Sequence, residues 1–364
     1  MNALRYLPFA ARAWKRSGPP LHLTVFVTGV CNARCRHCFH WKEVAAGVEG
    51  PSLEQLTRLA DSAGALGPLV WVSIGGGEPF LRSDLPQVAE AFGRHGLRHL
   101  AVPTNGLVEN RQNAMVEEIL ARCPDTFLSV AVSFDGPPEI HDSIRQVPGG
   151  HARSCASVRS LLEQSRRHER LGVGLLLTVT RENQDVLADH MVELVEELRP
   201  HNVTINLARG TAMDLDLLDV DVARYEEVVR TKERLMREGK LPYFDFPLAR
   251  LAEAGDRLMY ERVAATARGD EAAYVPCTAG TLSAVVFEDG TVRPCEMLDD
   301  DLGNLNDVDW DLGRLWRASR AEALRNKIRD TRCTCTWECA QADNVLFTPK
   351  LWPKLAANLS RGRA

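Results

Sequence analysis

The chain has 364 residues, 45% hydrophobic and 26% charged, a composition typical of a folded globular protein and not of a disordered or fibrous one. Its net charge of −5 argues against a nucleic-acid-binding protein that relies on bulk positive charge. No run approaches the roughly 18 apolar residues of a membrane-spanning helix, and the N-terminus lacks the apolar core of a signal peptide. We therefore expect a cytoplasmic protein with no nucleic-acid partner, whose ten Cys serve metal binding or catalysis.

Short β-rich runs alternate with amphipathic segments through the first two hundred residues. Six strands are predicted, at 23–28, 69–74, 99–103, 127–134, 173–180 and 203–207. Between the first two, Ser52 with Gln55 predicts the capping-box start of a helix. Six parallel strands with intervening helices predict an α/β fold, either a partial barrel or an open doubly wound sheet. In both, the site lies at the C-terminal ends of the strands.

The composition changes after the last of these strands. Residues 217–273 are predicted to be helical and rich in Arg, Glu and Ala. Beyond them, strands at 282–287 and 291–293 flank Asp289-Gly290, which predicts a β-hairpin in a cysteine-rich region. The predicted domains are thus a barrel at 1–216, a helical bridge at 217–273 and a small cysteine-rich module with its tail at 274–364.

Three cysteines, Cys31, Cys35 and Cys38, lie directly after the first predicted strand with the spacing CxxxCxxC. Three thiolates on one short loop can hold three irons of a 4Fe-4S cluster and leave the fourth iron open to another ligand. A zinc site and three unrelated core cysteines are the alternatives, although structural zinc usually takes four ligands.

This loop and the sequence Gly75-Gly76-Gly77-Glu78-Pro79 after the second strand together resemble the radical SAM enzymes. The resemblance implies a partial (β/α)6 barrel, a 4Fe-4S cluster and S-adenosylmethionine (SAM), which the cluster cleaves to a 5′-deoxyadenosyl radical that abstracts hydrogen from substrate. It also implies an electron donor such as flavodoxin or ferredoxin. One departure is His37, because the family often has a Phe, Tyr or Trp just before the third cysteine, whereas here Phe39 follows it.

The resemblance also assigns residues to the methionine end of SAM. Gly76, Gly77 and Glu78 would contact its amino group, and Asn105 belongs to a further loop after the third strand. The alternative for the glycines is an ordinary tight turn, and Asn105-Gly106 on its own is most often just a turn.

The end of the fourth strand resembles the radical SAM subgroup that carries a C-terminal SPASM or twitch module. By that resemblance Ser133 and Arg145 would hold the carboxylate side of SAM, with Asp135 nearby. A guanidinium suits a carboxylate through paired hydrogen bonds. A surface ion pair is the alternative role for Arg145.

The C-terminal cysteines also fit such a module. Cys277, twelve residues, Gly290, four residues and Cys295 match its opening pattern, and three more cysteines follow, Cys333, Cys335 and Cys339. A full SPASM module holds two clusters and needs more cysteines, so five thiols fit one auxiliary 4Fe-4S cluster with one to spare. Which four bind is open, and a structural zinc site is the alternative.

Relatives with such modules modify ribosomal peptides or act on sugars and other small molecules, so we expect a peptide or a small, sugar-like substrate. Only about twenty residues precede the first strand, and we expect no fused leader-peptide-binding domain. No catalytic acid or base is identified. The rival hypothesis is a non-enzymatic iron-sulfur or zinc scaffold protein.

Both termini are amphipathic and basic. The two groups are Tyr6, Leu7, Phe9, Trp14 with Arg5, Arg12, Lys15, Arg16, and Leu351, Trp352, Leu355 with Lys350, Lys354, Arg361, Arg363. Such segments could touch a membrane surface, but we favour the interpretation that they cover the ends of the barrel.

Overall fold

A single mixed sheet organises the protein in the computed structural model, which describes residues 3–15 and 18–360. Within this range the sheet has nine strands in the order β6-β5-β4-β3-β2-β1-β7-β8-β9. Neighbouring strands are parallel from β6 to β7, and the last two pairings are antiparallel. The strands are β1 (His22–Phe26), β2 (Trp71–Gly75), β3 (His99–Thr104), β4 (Phe127–Phe134), β5 (Leu171–Val179), β6 (Asn202–Leu207), β7 (Ser283–Val286), β8 (Thr291–Arg293) and β9 (Gly303–Asn304).

Helices fill the connections between the strands. They are α1 (Leu7–Lys15), α2 (Trp41–Ala46), α3 (Leu53–Leu66), α4 (Leu85–Gly93), α5 (Glu109–Arg122), α6 (Pro138–Arg145), α7 (Gly150–Ser165), α8 (Leu187–Leu198), α9 (Val222–Arg237), α10 (Ala249–Ala267), α11 (Leu312–Trp316), α12 (Ser319–Asp330), α13 (Glu338–Leu346) and α14 (Trp352–Ser360). The capping box that starts α3 is confirmed, since Ser52 N–H donates to Gln55 Oε1 at 2.8 Å and Gln55 N–H to Ser52 Oγ at 3.2 Å.

The six predicted strands are all present, and the sheet does not close on itself, which confirms the partial barrel. One face is sealed by helices, and its side chains, such as Val72, Leu100 and Val130, are fully buried. On the other face small residues lie side by side, for example Ser73 paired with Ala101, and both are partly exposed. The concave face of the sheet is therefore open, with room near the C-terminal ends of the strands.

An aromatic segment between α9 and α10 closes the opposite end of the concave face. Phe244 packs against Gly172, where a Cβ would lie 2.6 Å from its ring. The ring of Phe246 lies 4.5 Å from that of His99 and 5.3 Å from that of Phe127, centre to centre. Since these partners stand at the beginnings of β3, β4 and β5, the helical bridge supplies the floor of the barrel.

The predicted hairpin is confirmed, because β7 and β8 pair antiparallel around Asp289-Gly290. Its first strand also pairs in parallel with β1, so the hairpin extends the barrel sheet. This pairing joins residues more than 250 positions apart, and nothing in the local sequence predicts it. The domain boundaries at 216 and 273 stay predictions.

The two termini meet at the floor of the barrel. Tyr6 Oη lies 2.6 Å from His99 Nε2 at the start of β3, and the rings of Trp14 and Trp352 lie 5.0 Å apart. Of the basic residues considered for membrane contact, Arg16, Arg361 and Arg363 fall outside the described residues. Across the described ranges, no helix combines the length and the apolar character needed to cross a membrane.

Candidate active site and auxiliary metal site

The cysteine loop leaves the C-terminal end of β1 and runs to α2 without regular secondary structure. A turn brings Cys38 N–H to Cys35 O at 3.1 Å. Desolvation raises the pKa of Cys35 to about 12 and of Cys38 to about 11, and Cys31 adds to both shifts because its own thiol is close. Such thiols stay protonated until a metal displaces the proton.

Donors surround the sulfur atoms of this loop. The N–H of Ala33 donates to Cys31 Sγ and that of His40 to Cys38 Sγ. Asn105 Nδ2 lies 3.9 Å from Cys31 Sγ. Such donors stabilise metal-bound thiolates, so the loop suits a 4Fe-4S cluster in which three irons have cysteine ligands and the fourth is open. Among the described residues, no group of three or more Cys, His, Asp or Glu side chains is arranged to hold a metal ion. The assignment of the cluster to this loop therefore depends on the hydrogen-bond donors around its sulfur atoms.

The glycine turn after β2 presses against the cysteine loop. Gly77 N–H donates to Thr28 O at 2.6 Å. A Cβ on Gly76, whose φ is +127°, would lie 2.2 Å from that same oxygen, and one on Gly77 would lie 2.2 Å from Val30 O. Both positions therefore require glycine, whatever they contact in SAM.

The Glu78 carboxylate is buried and joins two loops. Oε1 accepts from Phe80 N–H at 3.1 Å and Thr104 Oγ1 at 2.9 Å, while Oε2 accepts from Asn105 N–H at 2.8 Å. Desolvation raises its pKa to about 7 in spite of these donors. The side chain thus holds the loops after β2 and β3 together, and its contact with the SAM amino group stays a prediction.

Asn105 and Ser133 lie at the same end of the sheet. Asn105 Nδ2 donates to Asn32 Oδ1 at 2.7 Å, which ties the loop after β3 to the cysteine loop. Ser133 is buried near the end of β4. The structure therefore gathers the predicted SAM residues around the three thiols, and their contacts with SAM stay predictions.

Arg145 and Asp135 form a buried ion pair at this end of the sheet. Arg145 Nε donates to Asp135 Oδ2 at 2.6 Å, and its Nη1 lies 3.9 Å from Cys35 Sγ. Desolvation alone would raise the pKa of Asp135, but Arg145, with the nearby His37, outweighs it and holds that pKa below its usual range. The two side chains are 9% and 0% exposed, so the alternative of a surface ion pair is wrong.

Two further polar contacts at the site join segments far apart in sequence. His40 Nε2 lies 2.8 Å from Glu288 Oε1, between the cysteine loop and the β7-β8 hairpin. Arg209, two residues after β6, pairs with Glu338 at the start of α13. Glu338 Oε1 also accepts from Leu207 N–H at 2.7 Å. No sequence motif marks either pair, because each forms only when the C-terminal region docks on the barrel.

The C-terminal cysteines divide into four and one. The thiols of Cys277 and Cys333 hydrogen-bond to each other. Cys295 and Cys335 pack with Cys277 in the apolar cluster around Trp337. Cys339 is in the first turn of α13, where its charged neighbours include Glu296, Glu338 and Arg209. The two remaining cysteines, Cys123 at the end of α5 and Cys155 in α7, are buried in the core as predicted.

Comparison with known proteins agrees with this geometry. Residues 25–194 match the family described as the radical SAM superfamily. The AdoMet-dependent heme synthase of Oleidesulfovibrio alaskensis is 25% identical over 306 residues, 80% of this chain and 73% of that protein. The antilisterial bacteriocin subtilosin biosynthesis protein AlbA of Bacillus subtilis is 24% identical over 331 residues, 88% of this chain and 66% of that protein.

A solved structure shares the fold. Streptococcus suis SuiB bound to S-adenosylmethionine superposes with a TM-score of 0.62 at 16% identity, over 86% of this chain and 68% of that one. The open parallel sheet, the cysteine loop after its first strand and the match over residues 25–194 point the same way. The chain is thus similar to the radical SAM superfamily over residues 25–194, the range that contains the cysteine loop, the glycine turn and Arg145.

Proposed function

We propose that this enzyme uses Cys31, Cys35 and Cys38 to hold a 4Fe-4S cluster at the C-terminal end of β1. When bound, the cluster supplies the electron that cleaves SAM to methionine and a 5′-deoxyadenosyl radical, which takes a hydrogen atom from an unactivated C–H bond of the substrate. The observation that carries this proposal is the set of three desolvated thiols, with N–H donors at Cys31 and Cys38, beside the Arg145 guanidinium.

The surrounding residues bind and orient SAM in this proposal. Arg145 is charged and fixed by Asp135, so its remaining N–H groups can hold the SAM carboxylate without reorganising. Gly76 and Gly77 bring backbone close to the cluster loop, where the amino group would lie. Asn105 and Ser133 complete the polar surface around it.

The substrate would enter the open concave face of the barrel. Small side chains such as Ser73, Ala101 and Ala131 line this face and leave space above the aromatic floor. The similar proteins include a heme synthase and a bacteriocin biosynthesis protein by name, so we propose a peptide or a small organic molecule as substrate. A flavodoxin or ferredoxin would deliver the electron.

We further propose an auxiliary 4Fe-4S cluster in the C-terminal region, which would accept the electron left on the substrate after hydrogen abstraction. One apolar cluster of side chains supports this, because it runs from Phe39 beside Cys38 to Cys295 and Cys335 around Trp337. This apolar cluster thus connects the residue that follows Cys38 with Cys277, Cys295 and Cys335.

The test is anaerobic incubation of the reconstituted protein with SAM and a strong reductant, with 5′-deoxyadenosine measured by mass spectrometry. The wild type should form the nucleoside. A variant with Cys31, Cys35 and Cys38 all replaced by Ala should form none. The matched control is Cys123→Ala with Cys155→Ala, which removes two thiols that are outside both groups and should retain activity.

Metal analysis separates the rival hypotheses. Two 4Fe-4S clusters predict about eight irons per chain, whereas a structural zinc site in the C-terminal region predicts about four irons and one zinc. Absence of 5′-deoxyadenosine from fully loaded wild type, with and without candidate substrates, would favour the non-enzymatic scaffold.

A further inference from the structure

From the C-terminal geometry we propose that the auxiliary metal is held by Cys277, Cys295, Cys333 and Cys335, while Cys339 keeps a free thiol facing the interior of the barrel. The inference rests on the proposed auxiliary site but not on which metal fills it. The spacing of the last three cysteines does not decide the ligand set, since CxCxxxC departs from the usual CxxC.

Contacts among the thiols favour the first four. Cys277 and Cys333 share a hydrogen bond although they are 56 positions apart in the sequence. Cys295 and Cys335 are close enough to influence each other's charge, and both also lie near Cys277. Cys335 and Cys295 are further fixed by packing around the buried Trp337.

Hydrogen-bond donors favour the same set. At three of the four positions, the cysteine sulfur accepts a hydrogen bond from the backbone N–H two residues later in the sequence. Ala279 donates to Cys277, Met297 to Cys295 and Trp337 to Cys335. The same pattern occurs at Cys31 and Cys38 in the first loop. N–H groups aimed at sulfur stabilise the charge of a metal-bound thiolate.

Cys339 has different surroundings. Its neighbours include the carboxylates of Glu296, Glu338 and Asp343, which oppose a thiolate, and one cation, Arg209. The residue is exposed to solvent, yet desolvation raises its pKa to about 12. Because Cys339 is exposed, solvent reaches its side chain, and the open concave face of the barrel is a surface of that kind.

The position of α13 explains how the thiol reaches that space. Glu338 is anchored to the end of β6 through Leu207 N–H and Arg209. Cys339, the next residue, therefore stands beside the C-terminal end of the last parallel strand. There it would form part of the wall that a substrate meets.

Differential alkylation of the loaded protein tests the assignment. The anaerobic holoenzyme is exposed to N-ethylmaleimide for hours, since a raised pKa slows the reaction, and is then denatured, chelated and labelled with iodoacetamide. Peptide mass spectrometry should find N-ethylmaleimide on Cys339 alone among the five C-terminal cysteines. Protection of Cys339 together with early labelling of any of the other four would overturn the proposal.

Measuring the metal content is a second, independent test. It uses a variant in which Cys31, Cys35 and Cys38 are replaced by Ala, so that only metal at the auxiliary site is counted. Adding Cys339→Ala should leave about four irons per chain, whereas adding Cys335→Ala should lower the count at least twofold. Loss of iron on Cys339→Ala with retention on Cys335→Ala would contradict the ligand set.

The two arms separate this inference from the auxiliary cluster itself. One zinc in place of four irons, with Cys339 alone labelled, would refute the cluster and leave the ligand set standing. Four irons, with Cys339 protected and another of the five cysteines labelled early, would refute the ligand set and leave the cluster standing. No metal, with all five thiols labelled early, would refute both.

Discussion

Arg145 Nε donates to Asp135 Oδ2 at 2.6 Å while the other end of the same guanidinium lies 3.9 Å from Cys35 Sγ. One buried cation therefore neutralises a carboxylate at the end of β4 and faces the thiols at the end of β1. The C-terminal end of α6 is also docked on the cysteine loop, since Arg36 N–H donates to Ile144 O at 2.8 Å. A change at Arg145 should therefore affect the proposed SAM site directly.

Arg145→Lys should weaken SAM binding. A lysine keeps the charge but cannot bond Asp135 and a carboxylate through one planar fork, and losing a charged hydrogen bond costs about 1.5 to 3 kcal/mol, which is about ten- to a hundredfold in affinity. Equilibrium titration of the cluster-loaded protein with SAM measures it. Arg181→Lys, in an exposed pair with Asp219, is the control and should bind SAM as the wild type does. Equal affinity of Arg145→Lys and the control would contradict the role of Arg145.

Gly77→Ala should prevent proper loading of the first cluster. The added Cβ would lie 2.2 Å from Val30 O, so the cysteine loop must move. Its φ is not in the left-handed region, so the effect would come from the contact and not from backbone strain. Iron content after reconstitution should fall toward that of the auxiliary site alone, about four per chain.

The control for Gly77→Ala is Gly239→Ala. Gly239 has a φ of +70° and no atom within 4 Å of an added Cβ, so the cost should be about 1 kcal/mol of backbone strain with normal iron content. If both variants load iron equally, the packing of the glycine turn on the loop is not needed for the site.

The sequence predicts the β/α alternation, the capping box of α3 and the loops of the candidate site, because each depends on residues close together in the chain. It does not predict that β7 pairs with β1, or that His40 meets Glu288. These contacts form between segments about 250 residues apart, and their local sequences have no periodicity that marks the partner. Even within a motif, the sequence does not predict the environment of Arg145. An arginine at this position is compatible with a surface ion pair and with the buried ion pair that the structure contains.

Glu78 should make stability depend on pH. Its pKa is about 7 in the folded protein against 4.5 in an ordinary environment, so between these values the folded chain holds a proton that the unfolded chain has released. The free energy of unfolding should therefore fall as pH rises through this range, by a few kcal/mol at most. The stabilisation that Glu78 contributes is fully present below about pH 4.5 and is lost above about pH 7.

Urea unfolding at a series of pH values measures this effect. The free energy of unfolding of Glu78→Gln is subtracted from that of the wild type at each pH. The stability of the wild type relative to Glu78→Gln should decrease from pH 5 to pH 7.5, since an amide does not titrate. Glu54→Gln is the control because that side chain is 76% exposed and lies outside the site. A flat curve for Glu78→Gln would show that burial does not perturb Glu78.

Breaking the pair of Arg209 and Glu338 should destabilise the docking of the C-terminal region. Glu338→Ala leaves the Arg209 guanidinium, only 13% exposed, without its carboxylate and also frees Leu207 N–H, a loss of about 3 to 5 kcal/mol. Replacing both residues, Arg209→Met with Glu338→Gln, removes the unpaired charge and should recover part of that loss. Urea unfolding measures both, with Arg166→Ala, from an exposed pair with Glu163, as a control that should cost at most about 1 kcal/mol. A cost for Glu338→Ala no larger than that of the control would mean that the pair does not hold α13 against the barrel.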